Sequence, residues 1–147
     1  MAARSVGLNH VGLCVRDVAA AVAFYRDVAG FEVRVSPFRM AGEWFDTLTW
    51  NDGAEIEVAM LALGGFTLQL VGYHAAGADP VAPGHNHPGN PHLCIDVDDV
   101  EAKHAEVAAL GAHRPTVIVD IVGTGARSFY VQDPDGTPVE FLQMPAR

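Results

Sequence analysis

The 147-residue sequence is poor in basic residues and in cysteine. Nine Lys and Arg residues stand against eighteen Asp and Glu, so the formal net charge is −9 and the pI is near 5.0. Such an acidic surface repels phosphate backbones and anionic lipid, and we therefore expect no nucleic-acid and no membrane partner. The two cysteines, Cys14 and Cys94, are too few for a disulfide framework or a zinc knuckle. We interpret them as small buried hydrophobic residues.

Long apolar runs are also absent. No uninterrupted stretch reaches the roughly 18 residues that cross a bilayer, and the N-terminal residues lack the pattern of a secretory signal. We therefore expect a cytoplasmic location. Half of the residues are hydrophobic and 18% are charged, which is enough apolar material for a core and is not typical of a disordered chain. The length predicts one domain over residues 1–147.

The chain contains an imperfect internal repeat. Residues 8–33 align with residues 90–115, and each copy reads as an apolar strand, an aspartate and an amphipathic helix that a glycine ends. The aspartates are suited to cap the helices, and the glycines suit a left-handed residue after them. The aligned pairs are His10 with His92, Asp17 with Asp99 and Val18 with Val100, and the glycines that end the two helices are Gly30 and Gly111. Apolar residues at helical spacing are Val18, Val22 and Tyr25 in the first copy and Val100, Val107 and Leu110 in the second.

Strand-like segments follow each predicted helix. The order strand, helix and about three strands therefore occurs twice, in modules at about 5–73 and 91–145. Residues 74–90, rich in proline and glycine, are the predicted linker. The strands predicted after the helices are 31–39, 44–50, 55–63 and 66–73 in the first module and 114–121, 127–132 and 138–143 in the second.

Strand alternation assigns several polar side chains to the face away from the helices. A strand sends successive residues to opposite faces, and the apolar ones should point at the helix. In the third strand, for example, Ile56, Val58 and Met60 are expected to face the helix, which leaves the glutamates between them on the other side. The polar residues that this test places in one shared concavity are His10, Glu55, Glu57, Gln69, His92 and Glu140. Nitrogen and oxygen donors of these types can hold a divalent metal.

Four segments of the chain resemble one known family. They are LNHVGLCVRDV (8–18), FYRDVAGF (24–31), PHLCIDVDDV (91–100) and FYVQDPDGTPVEF (129–141). Together they resemble the vicinal oxygen chelate superfamily, which includes glyoxalase I, methylmalonyl-CoA epimerase, extradiol dioxygenases, and fosfomycin- and bleomycin-resistance proteins. The resemblance implies an α+β fold in which two βαβββ modules form a cup-shaped, partly open, eight-stranded mixed sheet with the helices on its outer face.

The resemblance also implies a metal site. By position, the ligands of one divalent ion would be His10, Gln69, His92 and Glu140. This His/Gln/His/Glu set is similar to that of methylmalonyl-CoA epimerase and close to that of glyoxalase I. Fosfomycin-resistance proteins and the dioxygenases use two histidines and one glutamate, so Gln69 argues against both. We expect Ni²⁺, Co²⁺, Zn²⁺ or Mn²⁺, because no redox change is needed.

Such a site suits proton transfer next to a carbonyl of a small oxygenated substrate. A bound ion would chelate two neighbouring substrate oxygens and stabilise the enolate formed when a carboxylate removes the proton. The expected activity is that of an isomerase, an epimerase or a glyoxalase-type lyase. By strand phase Glu57 is the first candidate for the base and Glu55 the second, and the glyoxalase resemblance adds Glu140.

Other assignments remain open at this stage. An extradiol-type dioxygenase would require Fe²⁺, and a metal-free member of the family would bind a drug or natural product. Residues 122–129 depart from methylmalonyl-CoA epimerases, which argues against a CoA thioester substrate. His85, in the linker, would close over the site or be solvated. Arg39, Arg114 and Arg127 are candidates to neutralise an anionic substrate, and we expect a homodimer because the fold leaves sheet edges exposed.

Overall fold

The computed structural model describes residues 3–74 and 84–146. The chain divides into two compact units, Met1–Asp79 and Pro80–Arg147, and each contains one copy of the repeat. The boundary between the units falls in the predicted linker, of which residues 75–83 lie outside the described residues. No helix in the described part of the chain is long and apolar enough to cross a membrane.

The first unit is a four-stranded mixed sheet with two helices. Its strand order is β1-β4-β3-β2, in which β1 and β4 are parallel and the other neighbours are antiparallel. The elements are β1 (Val11–Cys14), α1 (Val18–Asp27), β2 (Glu32–Ala41), α2 (Glu43–Thr49), β3 (Glu55–Leu63) and β4 (Phe66–Tyr73).

The second unit repeats this arrangement. Its strand order is β5-β8-β7-β6, again with one parallel pair, β5 and β8. The elements are β5 (Leu93–Asp96), α3 (Val100–Ala109), β6 (Val119–Asp120), β7 (Arg127–Gln132) and β8 (Pro138–Gln143). The α+β class and the two βαβββ modules are therefore confirmed, with the eight strands in two four-stranded sheets.

The ends of the two long helices follow the predicted signals. The carboxylates of Asp17 and Asp99 each accept a hydrogen bond of 2.9 Å from the backbone N–H three residues further on. These bonds satisfy one of the donors that a helix leaves unpaired at its N-terminus. Beyond the helices, Gly30 and Gly111 have φ values of 81° and 70°, a region that favours glycine.

Removing the cap of α3 should destabilise the protein measurably. We expect Asp99→Ala to lower the free energy of unfolding by about 1 kcal/mol, because the N–H of Ala102 loses its acceptor. Urea denaturation measures the change. Asp98→Ala, at the exposed neighbouring position, is the matched control and should cost less than about 0.5 kcal/mol. Equal losses in the two variants would contradict the capping role.

Each long helix buries one face against its own sheet. In the first unit the predicted residues Val18, Val22 and Tyr25 are buried, together with Leu68 and Leu70 of β4. In the second unit Val100 and Val107 are buried as predicted against Phe129 and Phe141. Leu110 was expected on the same stripe but is 49% exposed, because α3 ends at Ala109 and Leu110 is its C-terminal cap.

The predicted strand at 44–50 is wrong, since this segment forms the helix α2. Its aromatic and threonine-rich composition is typical of a strand. Phe45 nevertheless turns inward and is buried with Ile56 and Val58, while Trp44 and Leu48 remain exposed.

The strand predicted at 114–121 is also shorter than expected. Only Val119–Asp120 forms a regular strand beside β7. Upstream, the N–H of Thr116 donates to the carbonyl oxygen of Tyr130 at 2.8 Å, but Pro115 has no N–H with which to extend the ladder.

Candidate metal-binding site

In the second unit, Glu140 is held by side chains from both neighbouring strands. It lies in register with Cys94 of β5 and Tyr130 of β7, and it is only 9% exposed. Its Oε1 accepts a hydrogen bond of 2.6 Å from the Ser128 hydroxyl, and its Oε2 accepts one of 2.8 Å from the Tyr130 hydroxyl. The Nε2 atom of His92 lies 3.9 Å from Oε2. The repeat thus brings His92 and Glu140 together as predicted.

These contacts keep the Glu140 carboxylate ionised. Burial acts to raise its pKa, but the hydrogen bonds from Ser128, Tyr130 and Cys94 and the charge of His92 outweigh burial, and the pKa is lowered. Burial, followed by the interaction with Glu140, raises the pKa of Cys94 to about 11 and that of Tyr130 to about 12. At neutral pH the thiol and the phenol therefore remain protonated and donate to an anion.

The two cysteines are exposed, which contradicts their interpretation as buried residues. Both belong to edge strands of their sheets and alternate with the residues that face the helix, since Leu13 and Ile95 are the buried neighbours of Cys14 and Cys94. They lie instead on the face that carries the predicted ligands.

In the first unit, Gln69 takes the position that Glu140 has in the second. It lies in register with Gly12 of β1 and Met60 of β3, and a Cβ atom on Gly12 would be 3.5 Å from the Gln69 Oε1 atom. His10 is exposed just before β1, and its Nδ1 lies 2.7 Å from the Asn9 Oδ1. In the neutral tautomer whose Nδ1–H donates to that oxygen, the Nε2 atom of His10 has a lone pair that a metal can accept.

The two modules surround these positions with different chemistry. Around Glu140, hydroxyl and thiol groups donate hydrogen bonds to the carboxylate, whereas apolar residues lie beside the neutral amide of Gln69. An amide needs no such donors, which accounts for the difference. The corresponding pairs, by strand register, are Gly12 with Cys94, Gln69 with Glu140, Met60 with Tyr130, and Val58 with Ser128.

The predicted orientation of Glu55 and Glu57 is wrong. Glu57 lies opposite Gly72 and Gln69 lies opposite Met60, in one uninterrupted register. Glu57 and Met60 are three positions apart on β3, so Glu57 occupies the face opposite to that of Met60 and Gln69. The face of Gly72 is the one that α1 covers, since a Cβ there would come within 2.8 Å of a Val18 methyl group. Ile56 and Val58 of β3, which were expected to face α1, pack against Phe45 of α2 instead.

Glu55 and Glu57 both have basic partners on the face of the sheet opposite to that of Gln69. The Glu57 Oε2 atom lies 3.7 Å from the Nε2 of His74, and the Glu55 Oε1 atom accepts a hydrogen bond of 2.7 Å from Arg39. Glu55 and Glu57 are therefore not brought together with Gln69, and neither is retained as a candidate base.

The donors of the second unit lie within reach of one divalent ion. Bonds of about 2.1 Å from an imidazole nitrogen and a carboxylate oxygen span at most about 4.2 Å, and the His92 Nε2 and Glu140 Oε2 atoms are 3.9 Å apart. His10 and Gln69 offer a second nitrogen and an amide oxygen in the first unit. Within residues 3–74 and 84–146, no group of three or more His, Cys, Asp or Glu side chains is arranged to hold a metal.

Comparison with known proteins agrees with the repeat and the fold. The model of the Glyoxalase/Bleomycin resistance protein/Dioxygenase superfamily matches residues 7–141. A 2-epi-5-epi-valiolone epimerase from Actinomyces sp is 32% identical over 97% of this chain and 81% of that protein. The mitochondrial methylmalonyl-CoA epimerase of Mus musculus is 30% identical over 76% of this chain and 63% of that protein.

A solved structure extends the likeness to the fold of the whole chain. A glyoxalase family protein from Bacillus cereus has a TM-score of 0.84 and 16% sequence identity, covering 98% of this chain and 97% of that one. The family match spans both modules, from just before β1 into β8. The chain therefore belongs to the Glyoxalase/Bleomycin resistance protein/Dioxygenase superfamily, which is the vicinal oxygen chelate superfamily that its sequence resembles.

Proposed function

We propose that the protein is a divalent-metal-dependent enzyme that moves a proton next to a carbonyl, as an epimerase, an isomerase or a glyoxalase-type lyase. The ligands are His10 and Gln69 of the first unit with His92 and Glu140 of the second. One observation carries the proposal. The Glu140 carboxylate is kept ionised by Ser128 and Tyr130 beside His92, while a neutral amide takes the equivalent position in the first unit.

The composition of the ligand set favours this chemistry. When bound, Ni²⁺, Co²⁺, Zn²⁺ or Mn²⁺ would supply a Lewis acid for two neighbouring oxygens of a small substrate. One carboxylate among four donors leaves a net charge of about +1 on the site of a divalent ion, which suits the stabilisation of a developing negative charge. Two histidines and one carboxylate with open positions are typical of non-haem iron oxygenases, and Gln69 adds a fourth protein donor to that pattern.

Glu140 is the remaining candidate for the base among the three predicted glutamates. Its two carboxylate oxygens each accept one hydrogen bond and keep further lone pairs, so the group would accept a proton once it had left the metal. The pKa of Tyr130 is about 12, so its hydroxyl stays a donor and orients the carboxylate at neutral pH.

Two relatives support an epimerase activity, because a 2-epi-5-epi-valiolone epimerase and a methylmalonyl-CoA epimerase are both similar to this chain. Residues 122–129 differ from the second of these classes, so we favour a small substrate without a CoA thioester. We further propose a cytoplasmic homodimer, with the four ligands drawn from one chain or from two.

Elemental analysis of the purified, untagged protein tests the function. We expect about one Ni, Co, Zn or Mn per chain, loss of most of it in His92→Ala, and full retention in His74→Ala. His74 is the matched control because it pairs with Glu57 on the face that α1 covers. The metal-loaded protein should then catalyse deuterium incorporation from D₂O next to the carbonyl of an accepted substrate.

Other outcomes would contradict the proposal. Bound iron with oxygen consumption would identify a dioxygenase. Failure to bind any of the four ions, together with tight binding of an aromatic ligand, would identify a metal-free binding protein.

A further inference from the structure

A small cavity opens beside Tyr130 in the second unit. It has a volume of about 180 Å³, and the polar side chains that line it include His85, Arg114, Thr116 and Gln132. Pockets that enclose whole drug-sized ligands are typically about 300–1,000 Å³, so this one has room for a single functional group such as a carboxylate or a phosphate.

Arg114 is the arginine whose charge is available to such a group. Of the other two candidates, Arg39 is paired with Glu55 at 2.7 Å, and Arg127 is paired with both Glu101 and Asp120. Arg114 has no ion-pair partner among the described residues. The structure thus distinguishes three arginines that the sequence leaves equivalent.

His85 supplies a second basic group at the same place. Its ring lies 4.7 Å from that of Tyr130 in an edge-to-face arrangement and 6.4 Å from that of His92. A guanidinium and an imidazole that line one cavity provide several N–H donors, and a planar guanidinium matches a carboxylate or phosphate with two parallel hydrogen bonds. The rest of the protein opposes an anion, since its net charge is −9.

Tyr130 links this cavity to the predicted metal ligands. Its ring contacts His85, and its hydroxyl donates to the Oε2 atom of Glu140. A ligand with one end at His92 and Glu140 and the other at Arg114 would therefore extend along the side chain of Tyr130.

We propose that Arg114 and His85 form a subsite for an anionic group, a carboxylate or a phosphate, on the substrate of this enzyme. That the anion belongs to a substrate rests on the proposed function, whereas the binding of an anion does not. The substrate is then a small acid that carries two neighbouring oxygens at one end and a negative group at the other.

NMR titrations with inorganic phosphate and with malonate test the subsite. Backbone amide shifts of Thr116 and Gln132 report binding, in the metal-loaded protein and again after chelation with EDTA. We expect Arg114→Gln to weaken the affinity for the preferred anion about ten-fold in both conditions, because it removes a charge-assisted pair of hydrogen bonds. Preference for malonate or for phosphate identifies the anionic group.

Arg34→Gln is the matched control, because it removes the same charge from an exposed ion pair in the first unit. It should change the affinity less than two-fold. Equal affinities in Arg114→Gln and Arg34→Gln would overturn the subsite, and so would a failure of either anion to shift the Thr116 and Gln132 amides. If EDTA-treated protein binds the anion through Arg114 but no metal binds to the native protein, the subsite stands and the proposed function fails.

Discussion

Replacing Glu140 with glutamine should lower the affinity of the protein for the proposed divalent metal by about 100-fold or more. Changes to groups that only support a ligand already cost about 10–100-fold, and this substitution removes the one negatively charged ligand of the proposed set. The fold should survive, because one of the Ser128 and Tyr130 hydroxyls can donate to the amide oxygen while the other accepts a hydrogen bond from the amide NH2 group. Competition with a coloured chelator measures the affinity, and circular dichroism checks the fold.

The reverse substitution, made at the equivalent position of the first module, is the control for this experiment. Gln69→Glu introduces the same chemical change, in the opposite direction, at the equivalent strand position of the first module. We expect this variant to keep its metal, because the side chain lies over Gly12, where no Cβ crowds it, and because an added negative charge attracts a cation. Full metal affinity in Glu140→Gln, or equal losses in both variants, would show that Glu140 is not a ligand.

Replacing Phe141 with alanine should destabilise the protein by about 3–5 kcal/mol. The Phe141 ring is fully buried, stacks on Phe129 with centroids 5.1 Å apart, and lies 5.3 Å from the Lys103 ammonium. Alanine would leave a cavity in the centre of the second unit, because the Phe129 ring and helix α3 cannot both move to fill it. Because small domains are stable by only about 5–15 kcal/mol, urea denaturation should show a large fall in the midpoint.

Two further variants keep this prediction testable. Phe38→Ala removes the same ring from a position that is 42% exposed and should cost about 1 kcal/mol. If Phe141→Ala does not fold, Phe141→Leu, which keeps most of the volume, should fold with a loss below about 2 kcal/mol. A cost for Phe141→Ala no larger than that for Phe38→Ala would contradict the central position of this ring.

The sequence predicts most of the fold because its signals are local and occur twice. Asp17 and Asp99 begin the long helices, and the alternation of apolar residues identifies β4 and β8 and their buried faces. The strand prediction fails at residues 44–50. There the packing of Phe45 against β3 favours a helix, although the composition of the segment is typical of a strand.

Strand alternation assigns the polar side chains to the correct face of a strand where apolar residues are buried on the other face only, and it fails where both faces are buried. The proximity of His92 to Glu140 follows from the repeat and from strand alternation. Glu57 was assigned to the wrong face because β3 buries apolar side chains on both of its sides, which alternation by itself cannot separate. Ser128 and Tyr130 were missed, although the same alternation applied to β7 would have placed both beside Glu140.

The strand order has a consequence for the coupling of metal binding to local unfolding. His10 and His92 come just before β1 and β5, which are four residues long and hydrogen-bond to one neighbouring strand each. Short strands at a sheet edge open more easily than central ones, so part of the energy of the proposed metal binding would go into ordering them. An ion shared with Gln69 of β4 or Glu140 of β8 would tie each edge strand to the strand with which it pairs in the described part of the chain, and would thereby slow the fraying of both sheets.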